Sequence, residues 1–219
     1  MRRSDPIDTS LQHLVFFPEK PQIRNRTIIA IHGRGADAPD LIPLVQSLEL
    51  ADTLVIAPRA PMPYDFGGGY TWYDLSEEAI PHPGTFNRSL NLLTKFISEV
   101  KQAYPIDPTR LILLGFSQGT VMSYSAGLTK PDGIIGIVAL SGYIPQKSGL
   151  QFRWEEAKKL PVFVSHGAYD ELIPVTLARE SVQLLTKAEA KVEYHEYSMG
   201  HEIKQETLAD LKTWIHALE

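Results

Sequence analysis

The segment Leu111-Ile112-Leu113-Leu114-Gly115-Phe116-Ser117-Gln118-Gly119 constrains this chain more than any other: an apolar run is cut by two glycines that flank a serine at Gly-x-Ser-x-Gly spacing. The run has strand length and no polar face, the pattern of a strand covered on both sides. Directly behind it, Thr120-Val121-Met122-Ser123-Tyr124-Ser125-Ala126 predicts a helix. A serine at the tip of such a strand–turn–helix junction is held in a strained backbone conformation, and the residues two before and two after it pass too close for a Cβ. Gly115 and Gly119 meet that need and make Ser117 a candidate nucleophile. The bare pattern arises by chance in about one chain of this length in fifteen, because glycine and serine are common. Its partners must carry the assignment.

Strand and helix patterns alternate along the chain. Leu11 to Phe17 predicts an early edge strand, followed by a polar connection from Glu19 to Arg26. Buried strands are expected at Thr27–Ile31, Thr53–Ala57, Ile134–Leu140 and Pro161–Ser165, and an alternating last strand at Lys191–Tyr197. Helical spacing covers 38–50, 87–104 and 175–187, and a closing helix places Ile203, Leu208, Leu211, Trp214, Ile215 and Leu218 on one side. Asp107-Pro108-Thr109 reads as a turn before the serine-bearing strand. Such alternation over residues 1–219 predicts one α/β domain with a mainly parallel sheet covered by helices on both faces. Ligands bind such sheets beyond the carboxyl ends of the strands.

Two readings compete at His32-Gly33-Arg34-Gly35. Gly33-x-Gly35-x-x-Ala38 between a strand and a helix matches a dinucleotide fingerprint, which would make the chain an NADP-binding oxidoreductase. The next strand, however, ends in Pro58-Arg59-Ala60-Pro61 and offers no carboxylate for a ribose, although an arginine suits a 2′-phosphate. The other reading is an oxyanion loop whose glycines let a backbone N–H point at a tetrahedral intermediate, and this one also accounts for Ser117. From Met62 to Thr85 no period is sustained, yet Tyr64, Phe66, Tyr70, Trp72 and Tyr73 crowd around Gly67-Gly68-Gly69. That composition predicts a wall or partial lid over a substrate pocket, with Phe66, Tyr70 and Trp72 as its apolar groups. An aromatic cluster packed on the domain is the competing expectation. The irregular stretch from Gly142 to Trp154 brings Tyr143, Ile144, Leu150, Phe152 and Trp154 to face it.

Four loops therefore converge at one sheet edge with Arg34, Ser117, Asp170 and His201. His201 would take the serine proton, and Asp170 would fix the imidazole tautomer and stabilise the imidazolium. Glu171 is the adjacent alternative acid. His166 reads as a structural hydrogen-bonder beside the acid loop, and the remaining histidines read as peripheral or strand-borne. The chain has no cysteine, no His-Glu-x-x-His and no paired aspartate cluster, so no cofactor and no metal is expected. A net charge of -5 with only short charge runs gives no footprint for nucleic acid. No stretch approaches the ~18 apolar residues of a membrane span, and the expectation is a soluble cytoplasmic protein.

Taken together, His32-Gly33-x-Gly35, Pro58-x-Ala60-Pro61, Trp72-Tyr73-Asp74, Gly115-Phe116-Ser117-Gln118-Gly119, Leu140-Ser141-Gly142, His166-Gly167-x-x-Asp170-x-x-x-Pro174 and Gly200-His201 resemble the phospholipase/carboxylesterase family of α/β-hydrolases. That family includes acyl-protein thioesterases and small bacterial carboxylesterases. The resemblance implies the α/β-hydrolase fold, Ser117, Asp170 and His201 as triad, and the backbone N–H groups of Arg34 and Gln118 as oxyanion hole. It further implies a small-molecule carboxylic ester, thioester or lysophospholipid as substrate. Two positions depart from the family's habit: Arg34, where an apolar residue is usual, and Thr120, where glycine is frequent. A non-catalytic ligand-binding protein of the same fold is a third expectation.

Overall fold

Residue parity along the strands decides the architecture. The structure, a computed structural model, describes residues 1–76 and 80–218; residues 77–79, within the loop expected over 62–85, lie outside the described residues. Its elements in chain order are β1 (Arg2–Ser4), β2 (His13–Phe17), β3 (Asn25–Ile31), α1 (Ile42–Ser47), β4 (Thr53–Pro58), β5 (Met62–Pro63), β6 (Tyr70–Thr71), α2 (Pro83–Ala103), β7 (Ile106–Phe116), α3 (Gln118–Thr129), β8 (Ile134–Leu140), β9 (Pro161–Gly167), α4 (Val175–Lys187), β10 (Lys191–Tyr197) and α5 (Gln205–His216). Eight strands form one sheet in the order β1-β2-β4-β3-β7-β8-β9-β10. From β4 to β10 every pairing is parallel, and β2 and β1 extend the sheet antiparallel.

Alternate side chains leave the sheet on opposite sides. Ile29, Ile31, Leu54, Ile56, Leu111 and Leu113 meet Phe86, Leu93 and Phe96 of α2 and Val121 and Met122 of α3. Farther along the same face, Ile137, Ala139, Val162 and Val164 meet Tyr124 and Leu128 of α3 and Leu185 of α4. The intervening residues Ile28, Ala30, Val55, Ile112, Leu114, Val138 and Phe163 pack on α1 and on Leu211, Trp214 and Ile215 of α5. Both faces are thus covered, which is why these strands read as unbroken apolar runs.

Several boundaries differ from the expectation. β2 is not the edge strand, because Arg2–Ser4 pairs with Val15–Phe17. The 38–50 helix shrinks to Ile42–Ser47, with Pro43 in its first turn, and α2 begins at Pro83, four residues earlier than expected, with proline again in its first turn. Asp107-Pro108-Thr109 lies inside β7, next to a register shift in the β3–β7 ladder.

Candidate active site

α3 is buried over nearly its whole circumference, from Gln118 to Leu128. Its two serine hydroxyls are satisfied by its own backbone: Ser123 Oγ donates to the Gly119 carbonyl (2.9 Å) and Ser125 Oγ to the Val121 carbonyl (2.7 Å). Between β7 and this helix Ser117 has φ 54° and ψ -120°, a sparsely populated conformation that the surrounding packing enforces. A Cβ on Gly119 would sit 1.9 Å from the Ile31 carbonyl oxygen, and one on Gly115 would sit 2.3 Å from the Gly119 carbonyl carbon. Beneath the turn, the Thr120 hydroxyl lies 2.7 Å from both the Gly115 and Leu140 carbonyls, one of which takes its single proton, and it receives the Leu140 N–H (3.0 Å). Ser117 N–H itself donates to the Leu140 carbonyl at 2.9 Å.

The acid and histidine loops are zipped together backbone to backbone. Ala168 N–H donates to Tyr197 O (2.8 Å) and Tyr169 N–H to Met199 O (3.0 Å). A Cβ on Gly167 would lie 2.1 Å from the Gly200 carbonyl oxygen, so only glycine permits this approach. The Asp170 side chain is fully buried and its Oδ2 lies 2.7 Å from His201 Nδ1. Oδ1 receives the N–H groups of Leu172 (2.9 Å) and Ile173 (2.8 Å). Glu171, the alternative acid, is exposed. The His201 ring rests on Phe116, the residue before Ser117, with centroids 4.9 Å apart. His166 is buried beside the acid loop as expected, its Nε2 2.8 Å from the Ile173 carbonyl.

The glycine loop after β3 abuts Ser117: a Cβ on Gly33 would be 3.3 Å from Ser117 Cβ. It is pinned to the aromatic segment by Gly35 N–H to Tyr70 O and Tyr70 N–H to Ala36 O, both 2.8 Å. Among the described residues neither Arg34 N–H nor Gln118 N–H has a hydrogen-bond partner, so both donors are unspent. His32 is not a catalytic base. Its Nε2 accepts the Ala60 N–H (3.0 Å), its Nδ1 meets the Gly33 carbonyl (2.7 Å), and burial holds its pKa below the usual histidine range. The Arg34 side chain is exposed, with its guanidinium 5.6 Å from the Tyr64 ring centre. Asp37 does not bridge to it, because Arg59 takes that carboxylate in two bonds of 2.7 and 2.6 Å. The same pair occupies the arginine that the dinucleotide reading needed for a 2′-phosphate.

The aromatic segment divides. Trp72 was expected to line the pocket and does not: it has no exposed surface, and its Nε1 donates to the His32 carbonyl at 2.9 Å. A large ring with a satisfied N–H is a core residue. Phe66 is 82 % exposed at the glycine-rich tip, against Tyr64. Tyr70 is half-buried beneath the Arg59 guanidinium (4.3 Å). Tyr143 and Leu150 pack on the same core as Tyr70, whereas Ile144, Phe152 and Trp154 turn to the core under α3 and α4. Burial, with Tyr143 beside it, pushes the Tyr73 phenol well above its ordinary range, and the charge of Arg34 pulls it back. Sequence reasoning missed the Gln118 side chain. Its Oε1 receives Trp72 N–H and Thr71 Oγ1 (both 3.0 Å) and its Nε2 donates to Tyr73 O (2.7 Å), which fastens the aromatic segment to the turn between β7 and α3. The available signal was a long amide at the start of an otherwise buried helix.

Among the described residues no group of histidine and carboxylate side chains could hold a metal ion, and no helix is long and apolar enough to cross a membrane. A sequence model of the phospholipase/carboxylesterase family matches residues 14–219. The chain is 30% identical over 206 residues to acyl-protein thioesterase 1 of Debaryomyces hansenii, covering 86% of this chain and 89% of that one. It is 29% identical to a probable SOBER1-like carboxylesterase of Arabidopsis thaliana, covering 88% and 81%. Among solved structures, esterase PE8 superposes with a TM-score of 0.82 at 26% identity over 100% of both chains. The Bacillus cereus carboxylesterase shares the fold, with a TM-score of 0.82 at 20% identity over 95% of both.

Proposed function

Since the chain belongs to the phospholipase/carboxylesterase family and is an ester hydrolase, we propose that Ser117, His201 and Asp170 cleave carboxylic esters or thioesters of modest size through an acyl-enzyme. The observation that carries this reading is the 2.7 Å contact between Asp170 Oδ2 and His201 Nδ1 beside the strained serine. Nδ1 bears the proton that the carboxylate accepts, which leaves Nε2 free as the base. Ser117 Oγ attacks the acyl carbonyl carbon and its proton passes to His201 Nε2. The carbonyl π-electrons move to oxygen, where the Arg34 and Gln118 N–H groups receive the charge. Collapse re-forms the carbonyl and breaks the bond to the alcohol or thiol, which leaves with the proton from His201. Water repeats the sequence to release the acid and restore Ser117. Negative charge builds on the carbonyl oxygen each time a tetrahedral intermediate forms, so fixed backbone donors there lower the barrier to both addition steps.

A serine-reactive fluorophosphonate probe tests the assignment. It labels the wild-type protein and not Ser117→Ala. Labelling that survives this substitution, or tight NADP binding by a protein that does not label, overturns it.

A further inference from the structure

His166 is a buried imidazole that this mechanism leaves idle. It is the penultimate residue of β9, four residues before Asp170, and its side chain has no exposed surface. Two contacts define it. Nε2 lies 2.8 Å from the Ile173 carbonyl, and the same nitrogen lies 3.3 Å from Asp170 Oδ2. Nδ1 is buried with no hydrogen-bond partner. A carbonyl can only accept, so the Ile173 contact requires the proton on Nε2 and leaves the lone pair on Nδ1. The N–H is aimed at Ile173, and the carboxylate oxygen stands at the flank of the same positive edge.

These contacts close a circuit. Ile173 donates its N–H to Asp170 Oδ1 at 2.8 Å, while its carbonyl is held by His166. Asp170 Oδ2 lies between His166 Nε2 and His201 Nδ1, at 3.3 and 2.7 Å. We infer that His166 is a positioning residue for Asp170: by gripping the Ile173 carbonyl it fixes the 170–173 turn, and with it the carboxylate position that orients His201. This inference rests on the proposed triad and assigns His166 no contact with substrate. Burial lowers its pKa, so it serves as a neutral donor. An imidazolium there would put a second N–H at Nδ1 where no acceptor waits.

Orientation of a catalytic group within a fraction of an ångström is worth up to about a hundredfold in rate. Because His166 acts through Asp170, the loss belongs to kcat and leaves substrate binding alone. His166→Gln and His166→Asn separate this role from mere packing. Both are polar and smaller than histidine, but only the longer glutamine amide reaches the Ile173 carbonyl. On a small neutral ester, with active sites counted by fluorophosphonate titration, His166→Asn is expected to lose about ten- to a hundredfold in kcat with KM within about twofold. His166→Gln is expected to stay within about fivefold of wild type. The downfield proton resonance of the His201 Nδ1–H, shared with Asp170, should persist in His166→Gln and broaden or move in His166→Asn. Equal kcat in the two variants, or an unmoved resonance in His166→Asn, overturns the inference. Absence of titratable Ser117 in the wild type would instead overturn the triad on which it rests.

Discussion

Single side chains near Ser117 divide into those proposed to act on the reaction and those that hold the fold, and contacts rather than burial separate them, since the Asp170 side chain is as buried as Trp72. Ser117→Ala and His201→Ala should each lower turnover by several orders of magnitude, and the double variant should be hardly worse, because the members of a triad fail as a unit. Steady-state rates that multiplied across the two would point to independent roles. Asp170→Asn should keep the fold and lose about 10⁴ in kcat, because an amide selects the wrong imidazole tautomer. Trp72 and Phe66 make an instructive pair. Trp72 is fully buried and Phe66 is 82 % exposed. Trp72→Ala should therefore cost about 3–5 kcal/mol in urea denaturation and leave the chain-length profile on p-nitrophenyl esters unaltered. Phe66→Ala should do the reverse. Arg34 joins a proposed main-chain donor to an exposed side chain. Arg34→Leu should keep activity on a neutral ester, far from the ~10²–10³ loss that follows removal of an oxyanion donor. On a matched ester bearing a carboxylate its KM should rise several-fold, an effect that shrinks with added salt. Equal losses on both esters would leave Arg34 as a backbone donor alone.

Elements are joined by a few polar anchors whose loss is felt far from the site. Arg26, at the start of β3, is buried and reaches the Ile215 and Leu218 carbonyls at the end of α5 (3.4 and 3.3 Å) and Thr53 Oγ1 at the start of β4 (3.1 Å). A cation there satisfies carbonyls that the helix cannot, at its negative end. Arg26→Leu strands those acceptors and is expected to cost about 2–4 kcal/mol by urea titration, with activity per folded molecule unchanged. The α4–β10 junction is governed by pH. Glu196 receives Arg179 Nε and Nη2 (both 2.7 Å) and the Tyr194 hydroxyl (2.6 Å), and these bonds hold its carboxyl down at about 2. A depressed carboxyl contributes its stability above the unfolded value of 4.5 and surrenders it as pH falls toward 2. Arg179→Ala should therefore raise the midpoint of acid unfolding followed by circular dichroism, and narrow its difference from neutral stability. The elements hardest to read from the chain were those whose cause is not local. Arg2–Ser4 is polar and without period, and it becomes a strand only because β2 offers an open edge. Pro108 reads as a turn, yet the displaced register of the β3–β7 ladder accommodates a residue without an N–H. The proline that opens α2 was a usable helix signal that the apolar spacing overshadowed.

At the scale of the molecule, the alternation of apolar runs and helical spacing was enough to foresee the covered parallel sheet, since each buried run has to be roofed on both sides. The meeting of Asp170 with His201, whose ring rests on Phe116 next to Ser117, was legible for the same reason, because loops following parallel strands open at one edge. The fate of the aromatic segment was not, because burial of Trp72 and exposure of Phe66 depend on contacts with residues distant in sequence. Those contacts also predict how the molecule fails. The segment is bonded to the loop after β3 and to Gln118, so activity on a small neutral ester and the far-ultraviolet signal should vanish in one urea transition; earlier loss of activity would mean that the segment melts first. Gln118 carries a consequence for anyone who would alter this protein's tastes. The amide that grips Thr71, Trp72 and Tyr73 belongs to the residue whose main-chain N–H is the proposed oxyanion donor. A loop transplanted between β4 and α2 to admit a bulkier acyl group must therefore bring its own N–H at position 72 and carbonyl at position 73, or it unfastens the residue beside Ser117. Substrate breadth and turnover should therefore change together, and a graft that lacks those two groups is expected to turn over even a small neutral ester more slowly.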